Sequence, residues 1–471
     1  MWRALPEICS AATRRKFSTN MKIYLRALLP ELRKTIRLAL PIAIGLGGQG
    51  ALFVCDTLMA GWWLGPVALA AAAFAGNLVM LPYVFGLGLA VSVPVLTAQG
   101  RGAGRPEDGA AALRHGLLIA GAWGVAIGLA IQLGVGLLDH MGQDPEILPD
   151  AKRFAVLMGW SILPGLLFQC LKNHREATGH PWISLLWLSI GIVVNIVLNW
   201  VLIQGKWGAP EMGLAGAGLA TVLARVVMLV GLAWHPGGQS PEWRNGLQVF
   251  WLKASLGLGF PSALQWTFEA GVFALAPVLI GLFGKEQQAA HQVAISLASL
   301  AFMIPLGISQ GASIRVGEAF GARNRGAMEK ISVGALLFGT GFMLLYATTV
   351  VGLRDRIPWF FLDQAGGADI LQTVHYASQY IMVAAVFALG DGLQVVASGA
   401  LRGMSDVRFT SVAAFVCYWL VSMPAGLALA YWGGQEGLGI WMGMAVGIFA
   451  AAVVLNGRLA WKLRRRPFLI L

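Results

Sequence analysis

The sequence predicts an all-α membrane protein with 12 transmembrane helices, arranged as two six-helix lobes related by a pseudo-twofold internal repeat. Three observations predict it. Hydrophobic residues make up 57% of the 471 and charged residues only 12%, against about 45–50% and about 25% in soluble domains. Apolar runs long enough to cross a bilayer recur twelve times along the chain. The second half repeats sequence features of the first at an offset of about 220–227 residues. Such a composition excludes a disordered chain, a secreted disulfide scaffold and an ordinary cytosolic enzyme. Continuous rather than alternating apolar runs exclude a transmembrane β-barrel.

The twelve runs cover residues 35–63, 67–98, 110–138, 152–171, 182–204, 213–234, 250–283, 288–314, 330–353, 371–400, 408–432 and 437–461. Gly, Pro and charged residues punctuate the gaps, as at Gly100-Arg101-Gly102, Pro236-Gly237-Gly238 and Gly433-Gly434. The expected organisation is a basic cytoplasmic segment (1–34), an N-lobe (35–235), a cytoplasmic inter-lobe loop (236–250), a C-lobe (251–461) and a basic cytoplasmic tail (462–471). Residues 1–20 carry Arg14, Arg15 and Lys16 but no apolar core, so they are no secretory signal. Of two readings, a presequence-like stretch and a start-site extension with the true start at Met21, the second is preferred.

Charge sets the expected orientation. Of the 34 Lys and Arg, 27 fall in the two termini and the loops on their side of the membrane, and six fall opposite: Lys152, Arg153, Lys206, Lys285, Arg354 and Arg356. The positive-inside rule then puts both termini in the cytoplasm. The remaining Arg225 lies inside a run and is the one expected internal counter-ion; Arg402 is assigned to a loop. The net charge of +12 is thus loop charge, and no nucleic-acid partner is expected. Cys9, Cys55, Cys170 and Cys417 are scattered, with no Cys-x-x-Cys and no Cys/His cluster, so neither a disulfide nor a structural metal is expected.

The repeat is visible residue by residue. Pro41 and Gln49 correspond to Pro261 and Glu269, Leu81-Pro82 to Ile304-Pro305, and Arg175 to Arg402. The turn from Gly100 to Arg105 corresponds to that from Gly321 to Arg325, and Gly213-Leu214 to Gly437-Leu438. Six spans is an even number, so both halves share one orientation and are related by an axis along the membrane normal. Two facing lobes suit alternating access.

Three carboxylates lie inside runs: Asp56, Glu269 and Asp391. A charge at the bilayer centre costs about 2.5–3.5 kcal/mol on insertion scales. Such groups persist where they face a cavity, bind a cation, carry a proton or hydrogen-bond across helices. Asp56 is nearer the outer end of its run, where water could reach it. The repeat is unequal here: Glu269 corresponds to Gln49 and Asp56 to Ala276, so ion coupling is expected to concentrate in the C-lobe. Asn195 and Asn199, spaced i, i+4, either bond between helices or line a cavity. Gln49, Asn195, Phe268 and Phe387 are the candidate cavity-lining residues, with core packing the plainer reading of the two rings. No P-loop, His-Glu-x-x-His or Gly-x-Ser-x-Gly motif occurs, so neither ATP hydrolysis nor another enzyme activity is expected and no cofactor is implied. Energy would come from an ion gradient.

Three stretches carry a family resemblance. They are Phe53-Val54-Cys55-Asp56-Thr57-Leu58-Met59-Ala60-Gly61, Phe268-Glu269 after Pro261, and Asp391-Gly392-Leu393-Gln394-Val395-Val396 running on to Gly399-Ala400-Leu401-Arg402-Gly403. Together they resemble the MATE (multidrug and toxic compound extrusion) family, NorM-like branch, over nearly all of 35–460. The resemblance implies a twelve-helix secondary exporter of cationic amphipathic compounds, driven by inward H+ or Na+, in the bacterial inner membrane. It implies Glu269 and Asp391 as the cation site and Asp56 as the N-lobe acid involved in coupling. Phe387 departs from a Tyr of some relatives that helps hold the cation, so the choice between H+ and Na+ stays open. Function as a monomer in the lipid bilayer is expected. The alternative is a flippase or exporter of a lipid-linked or other endogenous substrate on a related fold, which would call for a basic cavity.

Overall fold

The computed structural model describes residues 11–142, 144–236, 246–362 and 367–464, with side chains from Leu28 onward except those of residues 51, 53, 54 and 368. Residues 1–10 of the expected start extension, 237–245 of the inter-lobe loop and 465–471 of the tail lie outside the described residues.

All regular structure among the described residues is helical. Twelve helices are long and apolar enough to cross a membrane. In the first lobe they are α1 (Leu28–Leu64), α2 (Pro66–Gly102), α3 (Glu107–His140), α4 (Leu148–Ala177), α5 (Pro181–Gln204) and α6 (Gly213–Trp234). In the second they are α7 (Val249–Gly281), α8 (Lys285–Gly321), α9 (Arg325–Leu353), α10 (Asp369–Gly403), α11 (Val407–Trp432) and α12 (Glu436–Arg464). Each expected run falls on one helix. Most helices overrun the apolar run, because polar residues at the ends continue the backbone bonding that hydrocarbon enforces in the middle.

Local chemistry explains the joints. A single residue, Gly65, separates α1 from α2, at φ 83°, a conformation glycine takes without a Cβ clash. Pro66 then opens α2, where a missing N–H costs nothing. Helix α2 breaks at Val91, between Ala90 and Ser92. Pro94 lacks the N–H that would reach the Ala90 carbonyl. The Asn173 side-chain amide of α4 donates to that carbonyl instead, at 3.1 Å. In α11, two π-helical stretches, Phe415–Ser422 and Ala428–Trp432, flank Pro424.

Each lobe has its own core. Leu113, Phe154, Ile162, Leu166 and Leu214 are buried together in the first. Val272, Ile280, Tyr380, Phe387 and Trp441 are buried together in the second. The lobes meet through α1 and α2 of one against α7 and α8 of the other. These contacts are built on small residues: Gly88 lies against Ala263, Gly307 against Ala43, and a Cβ on Gly311 would stand 3.2 Å from that of Ala39. Polar bonds add to them at the end bearing the basic loops. Gln99 Nε2 donates to the Gly403 carbonyl at 2.8 Å and to Ser405 Oγ at 2.9 Å. Arg315 donates to Thr35 Oγ1 at 2.8 Å and pairs with the Glu31 carboxylate.

Candidate functional site

The three expected acids divide between the lobes, Asp56 in the first and Glu269 and Asp391 in the second. In the first, Asp56 on α1 is 7% exposed, and both of its oxygens are bonded. Asn199 Nδ2 donates to Oδ1 at 2.6 Å, and the Thr221 hydroxyl donates to Oδ2 at 2.7 Å. Asn199 also donates to Asn195 Oδ1 at 3.2 Å, and Asn195 Nδ2 to Thr221 Oγ1 at 3.3 Å. The i, i+4 spacing of Asn195 and Asn199 puts both amides on one face of α5. The outer-end position of Asp56 does not bring water to its side chain, because α5 and α6 cover it. Arg225, one turn beyond Thr221, exerts a Coulombic attraction on Asp56. It donates to the Ser161 carbonyl at 3.1 Å and to Ser161 Oγ at 2.9 Å, and lies 4.8 Å from the centre of the Tyr83 ring.

The second cluster joins α7, α10 and α11. Gln394 Nε2 donates to Glu269 Oε1 at 3.1 Å and to the Tyr418 hydroxyl at 2.9 Å. Tyr418, in the π-helical stretch of α11, is thus brought beside Glu269 through their shared partner Gln394. Such stretches often occur at functional sites, where the extra residue per turn re-aims side chains. Asp391, 5% exposed, lies one turn from Gln394 on α10 and repels Glu269 electrostatically. Its Oδ1 is buried without a hydrogen-bond partner. A buried acceptor left in that state is costly. Two such carboxylates in one low-dielectric site favour a shared proton or cation.

The other expected residues are placed as follows. Gln49 on α1 donates to Gln169 Oε1 at 3.1 Å, and Gln169 donates to Asn173 Oδ1 at 3.0 Å. This relay ends at the Ala90 carbonyl where α2 breaks. Asn195 is fully buried in the Asp56 cluster. Phe268 sits against Phe415, ring centres 5.1 Å apart, and its carbonyl accepts from Trp419 Nε1 at 3.1 Å. Phe387 is 3% exposed and packs edge-on against Phe273 at 5.9 Å and Trp441 at 6.2 Å. Among the described residues no group of three or more His, Cys, Asp or Glu side chains could hold a metal.

One expectation is corrected. Arg225 is not the only internal cation. Arg402, assigned above to a loop, lies in the last turn of α10, 2% exposed, and acts electrostatically on Glu269. Lys172, also assigned to a loop, is 1% exposed and pairs with Glu176 at 2.9 Å. Hydropathy placed both at span ends correctly. It did not reveal that neighbouring helices cover those ends: Ser309 of α8 and Trp266 of α7 lie against Arg402, and Gly45 of α1 lies against Lys172. Thr221, Gln394 and Tyr418 also escaped the sequence reading. Their signal, a polar group inside an apolar run, is shared with many side chains that bond only their own helix.

Known proteins resemble the chain over most of its length. The MatE family model matches residues 41–201 and 261–427, one match in each lobe. The chain is 34% identical over 449 residues to a probable multidrug resistance protein NorM of Mesorhizobium japonicum, covering 93% of this chain and 94% of that one. It is 31% identical over 443 residues to multidrug resistance protein NorM of Photobacterium profundum, covering 92% and 95%. A MOP superfamily transporter from Pyrococcus furiosus superposes with a TM-score of 0.84 at 19% identity, over 92% of this chain and 96% of that one.

Proposed function

Because the chain belongs to the MATE family, on its NorM-like branch, we propose that it is a multidrug efflux transporter of the bacterial inner membrane, an exporter rather than an enzyme. In this reading it antiports cationic amphipathic compounds out of the cell against inward H+ or Na+. The observation that carries the reading is the Glu269–Asp391 pair: a half-buried and a buried carboxylate on facing helices, the latter with an oxygen that no side chain satisfies. The multidrug-resistance names of the relatives support the substrate class.

The cycle follows from charge and packing. The positive-inside count puts the basic end, and both termini, in the cytoplasm. The lobes, residues 35–235 and 251–461, are joined at that end by Gln99 and Arg315, which supports an outward-facing state. A proton or Na+ entering from outside binds at Glu269 and Asp391, removes one unit of their negative charge, weakens the hold on a cationic drug and favours its release. The lobes then rock, the ion leaves inward, and the bared carboxylates favour the next cation. This cycle requires that ion and drug bind the two states unequally. The Asp56 cluster, with its acceptor oxygens, is the N-lobe element of the coupling. A monomer contains both clusters.

The test is uphill efflux of ethidium from proteoliposomes holding the purified chain. Na+ and pH gradients are imposed separately, with the membrane potential clamped. Efflux under one gradient identifies the coupling ion. A chain that responds to neither gradient is not a cation antiporter, and lipid-linked substrates become the next assay.

A further inference from the structure

Helices α7 and α10 run antiparallel and are joined by a polar ladder. Gln394 bonds Glu269 at 3.1 Å, Gln265 Nε2 donates to Ser398 Oγ at 2.8 Å, and Arg402 lies 5.5 Å from the centre of the Trp266 ring. Arg402 thus ends the ladder that begins at the carboxylate pair. Its NH2 donates to Ser309 Oγ at 2.9 Å, and the Ser309 hydroxyl in turn donates to the Val395 carbonyl at 2.6 Å. Gly399 permits this, because a Cβ there would collide with the Ser309 backbone. Arg402 Nε has no hydrogen-bond partner. On its other side the guanidinium faces a crevice between the lobes, lined also by Gln169, Asn173, Glu176 and Gln310. Glu176 is already engaged by Lys172 at 2.9 Å.

A guanidinium that is 2% exposed yet bonds only neutral groups needs a balancing charge nearby. Glu269 is the acid that the ladder brings to it: Trp266, whose ring the guanidinium faces, lies one turn before Glu269 on α7. We propose that Arg402 is the resident counter-ion of the C-lobe cation site, a positioning residue whose fixed charge competes with the coupling ion for Glu269. The proposal rests on the reading of Glu269 and Asp391 as that site. An ion arriving beside Glu269 does so against the repulsion of Arg402. The site is thereby kept from holding its ion too tightly to release it inward. When the ion leaves, the carboxylate keeps a partner in the protein and is not left as an isolated buried charge. The fork of Arg402, held by Ser309 and Trp266, keeps this charge one to two turns away from Glu269 and prevents direct pairing.

The test measures ethidium efflux from proteoliposomes over graded concentrations of the coupling ion, for the wild-type chain, R402Q and R402K. R402Q is expected to reach half-maximal efflux at a coupling-ion concentration lower by on the order of tenfold. R402K, which keeps the charge, is expected to stay within about threefold of wild type. The ion-dependent rise in Tm of each purified chain reports the same shift for a variant that binds but does not transport. An unchanged ion requirement in R402Q, beside an active wild type, overturns the role of Arg402 and leaves the exporter standing. Absence of any ion response in the wild type overturns both. If R402Q fails to reach the membrane, R402Q/E269Q is expected to be recovered, since neither charge is then left without the other. Failure of that double variant also overturns the assignment.

Discussion

Gly102 and Gly321 make reciprocal contacts across the lobe boundary: Gly102 lies against the carbonyl of Glu318, and Gly321 against the carbonyl of Gln99. In each case the carbonyl belongs to the residue three before the other glycine. Reciprocity of this kind marks a twofold relation, in which the same patch meets its own copy. Here the copy is the internal repeat. No side chain fits at either position, so the backbones of α2 and α8 touch directly at the basic end.

Gly102→Val and Gly321→Val are each expected to hold the lobes apart at that end. Overpacking costs about 1–3 kcal/mol, enough to shift a two-state balance by about tenfold or more. Membrane insertion should be normal and ethidium efflux should fall by a comparable factor. Wild-type efflux in both variants would remove this contact from the transport cycle.

The separation of Ala39 and Gly311 suits a reversible lock. A Cβ at Gly311 would lie 3.2 Å from that of Ala39, close to the roughly 3.5–4.5 Å of disulfides. In a background free of the native cysteines, A39C/G311C is expected to cross-link under mild oxidant and stop efflux, and dithiothreitol should restore it. Full efflux by the cross-linked protein would show that the lobes need not part here.

Glu269→Gln and Asp391→Asn are each expected to abolish ion-driven efflux without preventing membrane insertion. Each keeps its side-chain volume and loses its charge. Full activity in both, assayed in proteoliposomes, would sink the site assignment.

Asp56 accepts at both oxygens, from Asn199 at 2.6 Å and from Thr221 at 2.7 Å. Asp56→Asn turns one acceptor oxygen into an amide donor, so one of the two bonds Asp56 accepts is lost, at a cost of about 1–3 kcal/mol. The Tm of the purified chain should fall more for D56N than for T221V, which removes a donor but leaves Asp56 bonded to Asn199. Equal Tm values for D56N and wild type would show that the cluster does not stabilise the N-lobe.

Asn173 satisfies the Ala90 carbonyl that Pro94 leaves free, at 3.1 Å. Asn173→Ala is therefore expected to lower the Tm. P94A/N173A, in which the new N–H can reach Ala90, is expected to recover part of that loss. Additive losses in the double variant would show that the two residues do not share the carbonyl.

Much of this was legible in the chain, and what was not follows a pattern. Hydropathy located every crossing, and isolation among apolar residues singled out Asp56, Glu269 and Asp391. Arg402 was misplaced because a charge at the end of an apolar run looks solvated. Covered by α7 and α8, it is buried. The break at Val91 was half visible, since Pro94 warns of a kink and a freed carbonyl but not of the side chain that takes that carbonyl.

The sequence by itself determined the twelve helices, their grouping in two repeats and the three intramembrane acids. In hydrocarbon every backbone group must bond within its own segment, so a long apolar run has one structural outcome. Only the tertiary structure decided which partner each acid meets. Asp56 meets Asn199 and Thr221 from 143 and 165 residues away, and Glu269 meets Gln394 from 125. Those pairings depend on how each helix is rotated and which neighbour it faces, and helix packing sets both.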